Sequence, residues 1–479
     1  MKRKQATHDL IVLGGGSGGL TVAAGAAQLG VKTALIEREH MGGDCLYHGC
    51  VPSKTLLKSA EAAGISAAAE EYGLGAGAGP KVSAGALTAR IRRVVESIAP
   101  HDSPERFREL GADVYLEAGR FTSPHTVALS GGGELSAPLM VIATGSSPLV
   151  PPIPGLQEAG VLTNRDLFSL QRIPASLVIL GGGPIGCEMG QAFARLGTRV
   201  TLVDMLPHVL GIEDPDMAAL VQERLAAEGV ELRLGRKVSS VESGRKGKRV
   251  HLESEEGQEE VEGEEILAAL GRRGNSAGLG LDAAGVETKG SFIPTDAALR
   301  SNVKHIYACG DVNGRYLFTH AAGAEGSFIV RKALLHLPGK MSYDHIPWAT
   351  YTDPALASVG LNEKRARDQG LDYRLHVTEF TENDRAWAEG AEGGRLKILL
   401  DRRERVIGVQ IAAAGAGELL APALFAVKEG WKLSRLMGPV FPYPTLSEIY
   451  RKAAADRLSP RLFNARVRGL LKKLFGYRG

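Results

Sequence analysis

Apolar residues gather in short unbroken runs at two corresponding places in the chain. Leu10 to Leu13 leads into Gly14-x-Gly16-x-x-Gly19, an alanine-rich helical stretch, Gly30, a second apolar run from Thr33 to Ile36, and Glu37. The pattern predicts strand, tight turn, helix, strand and acid. It recurs where Leu177 to Leu180 meets Gly181-x-Gly183-x-x-Gly186 and GTRVTLVD runs from Gly197 to Asp204. From first glycine to acid the count is 37 − 14 = 23 in one copy and 204 − 181 = 23 in the other, a register that chance glycine runs would not keep. Residues 10 to 31 carry no charge, yet seven of those 22 are glycine, which predicts strand, turn and helix instead of a membrane span.

Between and beyond the two copies the pattern changes. The proline-rich SSPLVPPIPGL suits a stiff crossover. The charged stretch from Val241 to Glu265 alternates enough apolar residues to predict an exposed hairpin or meander with a solvated face.

Composition narrows the class. A chain of 479 residues, 44% hydrophobic and 23% charged, can bury several cores, so three or four domains are expected. With 57 basic and 54 acidic residues, nothing in the overall balance points to a nucleic-acid partner; small molecules are expected. Four cysteines cannot build a disulfide scaffold, and the first apolar run is too short and glycine-rich for a secretory signal, so a cytoplasmic protein is expected.

The glycines of each copy let the backbone approach a pyrophosphate at a helix N-terminus, and the acid can hydrogen-bond a ribose. Two dinucleotides in one chain suggest a relay, in which one delivers hydride and the other, a flavin, stores the electrons. Downstream of the first copy, GGDCLYHGCVPSK places Cys45 and Cys50 five positions apart. Structural zinc would need further ligands at the right spacing, and His40 and His48 are poorly placed to supply them. A permanent disulfide has little use in a reducing compartment, whereas a cycling one fits. Cys50 opens Val51-Pro52-Ser53, the start of a helix, so its sulfur is expected at the positive end of the helix dipole, and Lys54 adds a further charge favouring thiolate. Cys187 and Cys309 lie in apolar surroundings and are expected to act as small buried hydrophobes.

These motifs, with ATG at 143 to 145, GGGPIGCEMG at 181 to 190, YACGDV at 307 to 312, YTDPALASVG at 351 to 360 and FPYPTLSE at 441 to 448, resemble the class I pyridine nucleotide-disulfide oxidoreductases over nearly the whole chain. The resemblance implies an α/β fold class: two Rossmann-like dinucleotide-binding domains, for FAD and NAD(P), plus a C-terminal α+β dimerisation domain. The FAD part would span 1–149, the NAD(P) domain 150–273, a return to the flavin 274–344, and the dimerisation domain of a homodimer 345–479. Gly14, Gly16, Gly19, Glu37, Gly43, Thr144, Gly145, Asp311, His320 and Ala321 would bind FAD, with Glu37 on the ribose, Asp311 near the ribityl chain and Thr319 to Ala322 starting a helix under the flavin. Gly181, Gly183, Gly186, Asp204 and Gly271 would bind NAD. Met205 and Leu206 after Asp204 offer no local cation for a 2′-phosphate, so NADH is favoured over NADPH. Cys50 would stack on the flavin, Cys45 would face the acceptor, and Lys54 with Glu188 would resemble the family's ion pair beside the flavin ring. Glu188 as a mere surface helix residue is the plain alternative.

One departure bears on the acceptor. Disulfide-reducing members have histidine where this chain reads Tyr443-Pro444-Thr445-Leu446-Ser447-Glu448; the acid is kept and the base is replaced. Only about one tyrosine in a thousand ionises at neutral pH, so Tyr443 is a poor proton shuttle. The mercuric reductase-like branch resembles the chain more closely here, and a soft thiolate pair suits a soft metal substrate on Cys45 and Cys50. No cysteine follows Cys309, however, so the C-terminal metal-receiving pair of those enzymes is missing. The acceptor is expected to be a metal ion, another small molecule or a disulfide. A diaphorase or quinone reductase with cysteine-independent turnover is the alternative enzyme, and a non-catalytic NADH-sensing flavoprotein the alternative of another class. Finally, Arg457 to Arg478 holds seven basic residues and no acid, with Phe463, Val467, Leu470, Leu471 and Leu474 at helical spacing. This reads as a helix packing its stripe on the dimerisation domain, with contact to an anionic membrane surface as the rival.

Overall fold

The computed structural model describes residues 6–75, 81–244 and 247–477. Arg478 of the C-terminal basic segment lies outside them. The chain forms two compact units, one of residues 1–181, 192–201 and 237–342, the other of residues 182–191, 202–236 and 343–479.

In the first unit the predicted runs become strands. Leu10–Leu13 pairs in parallel with Thr33–Ile36 on one side and Leu139–Ile142 on the other, and Ile306–Ala308 and Ala112–Tyr115 complete a five-stranded parallel sheet. Unbroken apolar runs fit because both faces are covered. Leu10, Val12, Leu35 and Val141 point into the core under the helix Ser17–Gln28, while Ile11, Leu13, Ile36 and Met140 point into a second core with Phe121 and Val127. Each such side chain, withdrawn from water, contributes roughly 2 kcal/mol before entropy is charged.

The second copy repeats the plan. Its strands stand in the order Glu231–Leu234, Arg199–Asp204, Ser176–Leu180, Glu265–Ala268, with the strand Arg199–Asp204 crossing the boundary between the two units along the chain. The charged stretch is an antiparallel meander of Lys237–Gly244, Gly247–Ser254 and Gly257–Gly263.

In the second unit, residues 348–413 contribute a five-stranded antiparallel sheet in the order Trp348–Thr350, Ala355–Gly360, Val406–Ala413, Arg395–Leu400, Arg374–Glu379. Its core includes Phe380, Ile411, Ile449 and Tyr450, whose hydroxyl donates to Leu419 O at 2.9 Å. Lys397 is fully buried, and its Nζ bonds Asp214, Asp216 and Glu363 at 3.0, 2.7 and 2.7 Å. Those three carboxylates stand close enough together to hold a metal ion, but the lysine ammonium fills the gap between them.

The C-terminal stripe departs from expectation. A break at Phe463 and Asn464 separates the helix Ile449–Leu462 from the helix Ala465–Phe475, and no residue of the latter is buried. Its apolar stripe therefore does not pack into the domain core within this chain. Among the described residues, no helix is long and apolar enough to cross a membrane.

Candidate active site

The site grows from the first glycine turn. Gly14 has φ +109°, and a Cβ there would sit 2.3 Å from Ala143 O; a Cβ on Gly19 would sit 1.9 Å from Gly14 O. These two glycines make the turn itself. Gly16 is different, because a Cβ there meets no protein atom within 4 Å, and it caps the helix Ser17–Gln28 with no side-chain bond. An open space over uncapped helix N–H groups is what a pyrophosphate requires. Glu37 Oε2 accepts from Gly15 N at 2.6 Å and Oε1 from Glu39 N at 2.7 Å, tying the turn to the end of the second strand.

The second copy has the same wiring. Asp204 Oδ2 accepts from Gly182 N at 2.5 Å and Oδ1 from Leu206 N at 2.7 Å. Gly183 again faces open space, and Gly181 has φ +108°. Gly186 is buried in the helix Pro184–Arg195, and Gly271 has φ +107°. Both turns thus fit a dinucleotide on their own geometry. The Arg236 backbone N donates to Asp204 O at 3.0 Å, a neighbour of this strand end that sequence spacing did not reveal.

The cysteine segment docks on the first turn. Gly42 N donates to Gly15 O at 2.8 Å, and a Cβ on Gly43, φ +61°, would sit 2.9 Å from Gly16 Cα. Cys45 lies in the short helix Gly43–Tyr47, and Cys50 is the first residue of the helix Cys50–Ala67, which has no acid in its first turn. The sulfurs are unbonded to each other in this structure. A hydrogen bond to Cys50 pushes the Cys45 thiol far up, with burial and the Cys50 charge adding to it. Cys45 therefore keeps its proton, and Cys50 stands at the helix N-terminus. Cys50 Sγ also lies 3.6 Å from Thr319 Oγ1. Thr319 opens the helix Thr319–Ile329, and its carbonyl accepts from Ser17 Oγ at 3.0 Å. His320 next to it is exposed and Ala321 buried.

Asp311, largely buried, accepts from Ser146 Oγ at 2.5 Å, and burial raises its pKa. Arg272 joins this acid to the cysteine segment: it bonds Asp44 at 2.8 Å and Ser146 Oγ at 2.6 Å and stands 3.6 Å from Asp311. Asn164 Nδ2 donates to His48 O at 2.9 Å, and Asn275 Nδ2 to Thr144 O at 2.9 Å beside Gly145, φ +67°. Sequence reasoning missed Arg272, Asn164 and Asn275 because each acts from more than 100 positions away. Burial, with Arg165 nearby, lowers the His48 pKa, so that ring is neutral at physiological pH.

Lys54 sits in the first turn of the cysteine helix, and Glu188 belongs to the other unit. Glu188 is not a surface residue: it is 5% exposed and accepts from Tyr351 N at 2.9 Å. Tyr443 is exposed and donates to Asp384 at 2.9 Å, and this bond pushes its pKa up. Glu448 caps its own turn, reaching back to Thr445 N at 3.4 Å. Cys187 and Cys309 are buried, which raises both thiols out of reach of ionisation, and Cys187 donates to Gly182 O.

Two glycine turns, each closed by an acid, with a thiol pair docked on the first, define a two-dinucleotide oxidoreductase. The chain belongs to the pyridine nucleotide-disulphide oxidoreductases: residues 8–326 match that family and residues 346–454 its dimerisation domain. It is an enzyme with FAD and NAD(P)H as cofactors. Among its relatives, dihydrolipoyl dehydrogenase of Rhizobium etli is 32% identical over 96% of this chain and 99% of its own. Mercuric reductase of Lysinibacillus sphaericus is 34% identical over 93% of this chain and 82% of its own. The Cu(II) complex of the HOCl-induced flavoprotein disulfide reductase RclA of Escherichia coli superposes with a TM-score of 0.82 at 27% identity, covering 93% of this chain and 99% of that one.

Proposed function

We propose that this enzyme transfers the electron pair of NADH to a thiol-binding metal ion held by Cys45 and Cys50, reducing one mercuric ion to the metal or two cupric ions to cuprous. The observation that carries the reading is Tyr443 donating to Asp384 at the position where dithiol reductases have histidine. A phenol held protonated cannot collect the protons that a dithiol or disulfide substrate exchanges. A metal ion needs no such shuttle, since thiolates bind it directly and thiol protons leave to solvent. Relatives named for mercuric reduction and for a Cu(II) complex support the same substrate class.

NADH supplies the hydride and FAD, when bound, stores the electron pair. The chain's residues do the rest. Gly16 and Gly183 would leave room for the pyrophosphates, Glu37 and Asp204 would hold the riboses, and Asp311, positioned by Ser146 and Arg272, would serve the flavin. Cys50 is the resting thiolate; Cys45 gives up its proton when the ion binds. In a homodimer of the family type, Tyr443 of the partner subunit lends a neutral hydroxyl to the acceptor pocket.

The test is anaerobic. The enzyme is reduced with NADH, and flavin reoxidation is followed with mercuric ion, cupric ion, lipoamide, glutathione disulfide and a quinone, in wild type and Cys45→Ser. Fast, Cys45-dependent reoxidation by a metal ion is expected. Fast reoxidation by lipoamide, or metal turnover unchanged in Cys45→Ser, overturns the reading; equal quinone turnover in both would make the protein a diaphorase.

A further inference from the structure

The helix Ala465–Phe475 lies past residue 454, where the match to the dimerisation domain stops. It has its own start signal, the Asn464 side chain accepting from Val467 N at 3.0 Å. Val467, Leu470, Leu471 and Leu474 recur at i, i+3, i+4 and i+7 and form one apolar stripe. Half of the stripe is exposed: Val467 and Leu471 are half-buried, but Leu470 is 55% and Leu474 62% exposed, and Phe463 and Phe475 at the two ends are 75% and 63% exposed. An apolar strip of this extent in water is unusual unless something covers it.

Charge says what that something is. At about 100° per residue, Arg466 and Lys473 fall along one edge of the stripe and Arg468 and Lys472 along the other. The cations just upstream are engaged inside the chain, since Arg457 and Arg461 each bond Glu404 at 3.0 Å. Among the described residues, no acid pairs with Arg466, Arg468, Lys472 or Lys473, and the sequence has no acid after Asp456. The segment from Arg457 onward holds seven basic residues, leaving 57 − 7 = 50 basic against 54 acidic residues in the rest of the chain. Positive charge is thus concentrated at this C-terminal segment, with Arg466, Arg468, Lys472 and Lys473 on the exposed helix itself.

We propose that this helix lies in the surface of an anionic lipid bilayer. Leu470, Leu474, Phe463 and Phe475 enter the acyl boundary, and Arg466, Arg468, Lys472 and Lys473 contact the headgroups from both edges. An apolar stripe with cations along both borders is the arrangement that suits an interface of acyl chains and anionic headgroups. Each cation near such a surface contributes about 1 kcal/mol, or roughly 5-fold in partitioning.

The test uses the full-length, flavin-loaded enzyme and sedimentation with vesicles, the flavin absorbance reporting the bound fraction. Wild type is expected to pellet with phosphatidylserine-containing vesicles, to stay in solution with pure phosphatidylcholine, and to be released by high salt. The pair Lys472→Gln and Lys473→Gln is expected to weaken partitioning roughly 25-fold. Leu470→Asp with Leu474→Asp is expected to abolish it, with flavin content and NADH-driven dye reduction unchanged because neither leucine is buried. Wild type remaining in solution with anionic vesicles overturns the proposal, as does binding by the leucine variant equal to wild type. A smaller particle for that variant in vesicle-free sedimentation velocity also overturns it, by showing that the stripe packs on a second copy.

Discussion

The Tyr443 hydroxyl donates to the Asp384 carboxylate at 2.9 Å on an exposed edge of the C-terminal domain. The bond and the negative charge both favour the neutral phenol, so the pKa lies above the usual ~10. A tyrosinate difference titration of wild type against Tyr443→Phe should place its ionisation above that value, and Asp384→Asn should bring it down. Acceptor turnover should show no limb from Tyr443 between neutral pH and ~10. A limb that disappears in Tyr443→Phe would make the tyrosine an acid–base group after all.

Cys45 holds its proton through its bond to Cys50. Under the proposed function, metal binding releases that proton, and apparent affinity should rise about tenfold per pH unit while the thiol stays protonated in the free enzyme. Anaerobic titrations of the reduced enzyme across neutral pH check this; a flat profile would mean that both sulfurs are already ionised.

The glycines of the first turn separate folding from cofactor binding. Gly16→Ala meets no protein atom and has φ −85°, so the variant should fold with near-normal stability yet purify with little flavin. Gly19→Ala would collide with Gly14 O and should lose soluble protein as well. Gly183→Ala should keep flavin and raise KM for NADH, measured by steady-state dye reduction.

A preference for NADH is the proposal that follows from Asp204 beside exposed Met205 and Leu206, since the Asp204 carboxylate would repel a 2′-phosphate. Asp204→Ser with Met205→Arg should shift the ratio of kcat/KM toward NADPH by an order of magnitude or more. If wild type already prefers NADPH, Arg236 at the same strand end is the residue to replace next.

Lys397 should be a stability residue. Burial opposes its charge, but hydrogen bonds to Asp216, Glu363 and Asp214 outweigh that and raise its pKa, while Lys397 and Tyr373 overcome burial to lower that of Glu363. The contribution of Glu363 is complete above its unfolded value of ~4.3 and is lost as pH falls through the lower folded value. That of Lys397 is complete below ~10.4 and is lost as pH rises through its raised folded value. Lys397→Met strands Asp214, 2% exposed, and should cost about 3–5 kcal/mol in denaturant unfolding, with partial recovery in Asp214→Asn. An unmoved midpoint would show that water reaches the cluster.

The strands Leu10–Leu13 and Thr33–Ile36, the turns at Gly14 and Gly181 and the acids that close them were legible in the sequence. Their physics is local: a two-sided buried strand needs an unbroken apolar run, and a left-handed turn needs glycine at a set offset. The helix start at Cys50 was legible for the same reason. Tertiary structure decided whatever depends on distant partners. Glu188 was ambiguous until Tyr351 N was found to bond it 163 positions away; Arg272 became part of the site by reaching Asp44 across 228; and Lys397 is explained only by acids brought together from elsewhere. The C-terminal stripe shows the converse. Periodicity announced an amphipathic helix, but only the fold showed that no residue of it is buried within the chain and that Leu470 and Leu474 stay exposed, because periodicity records which face is apolar and carries no information about what lies opposite.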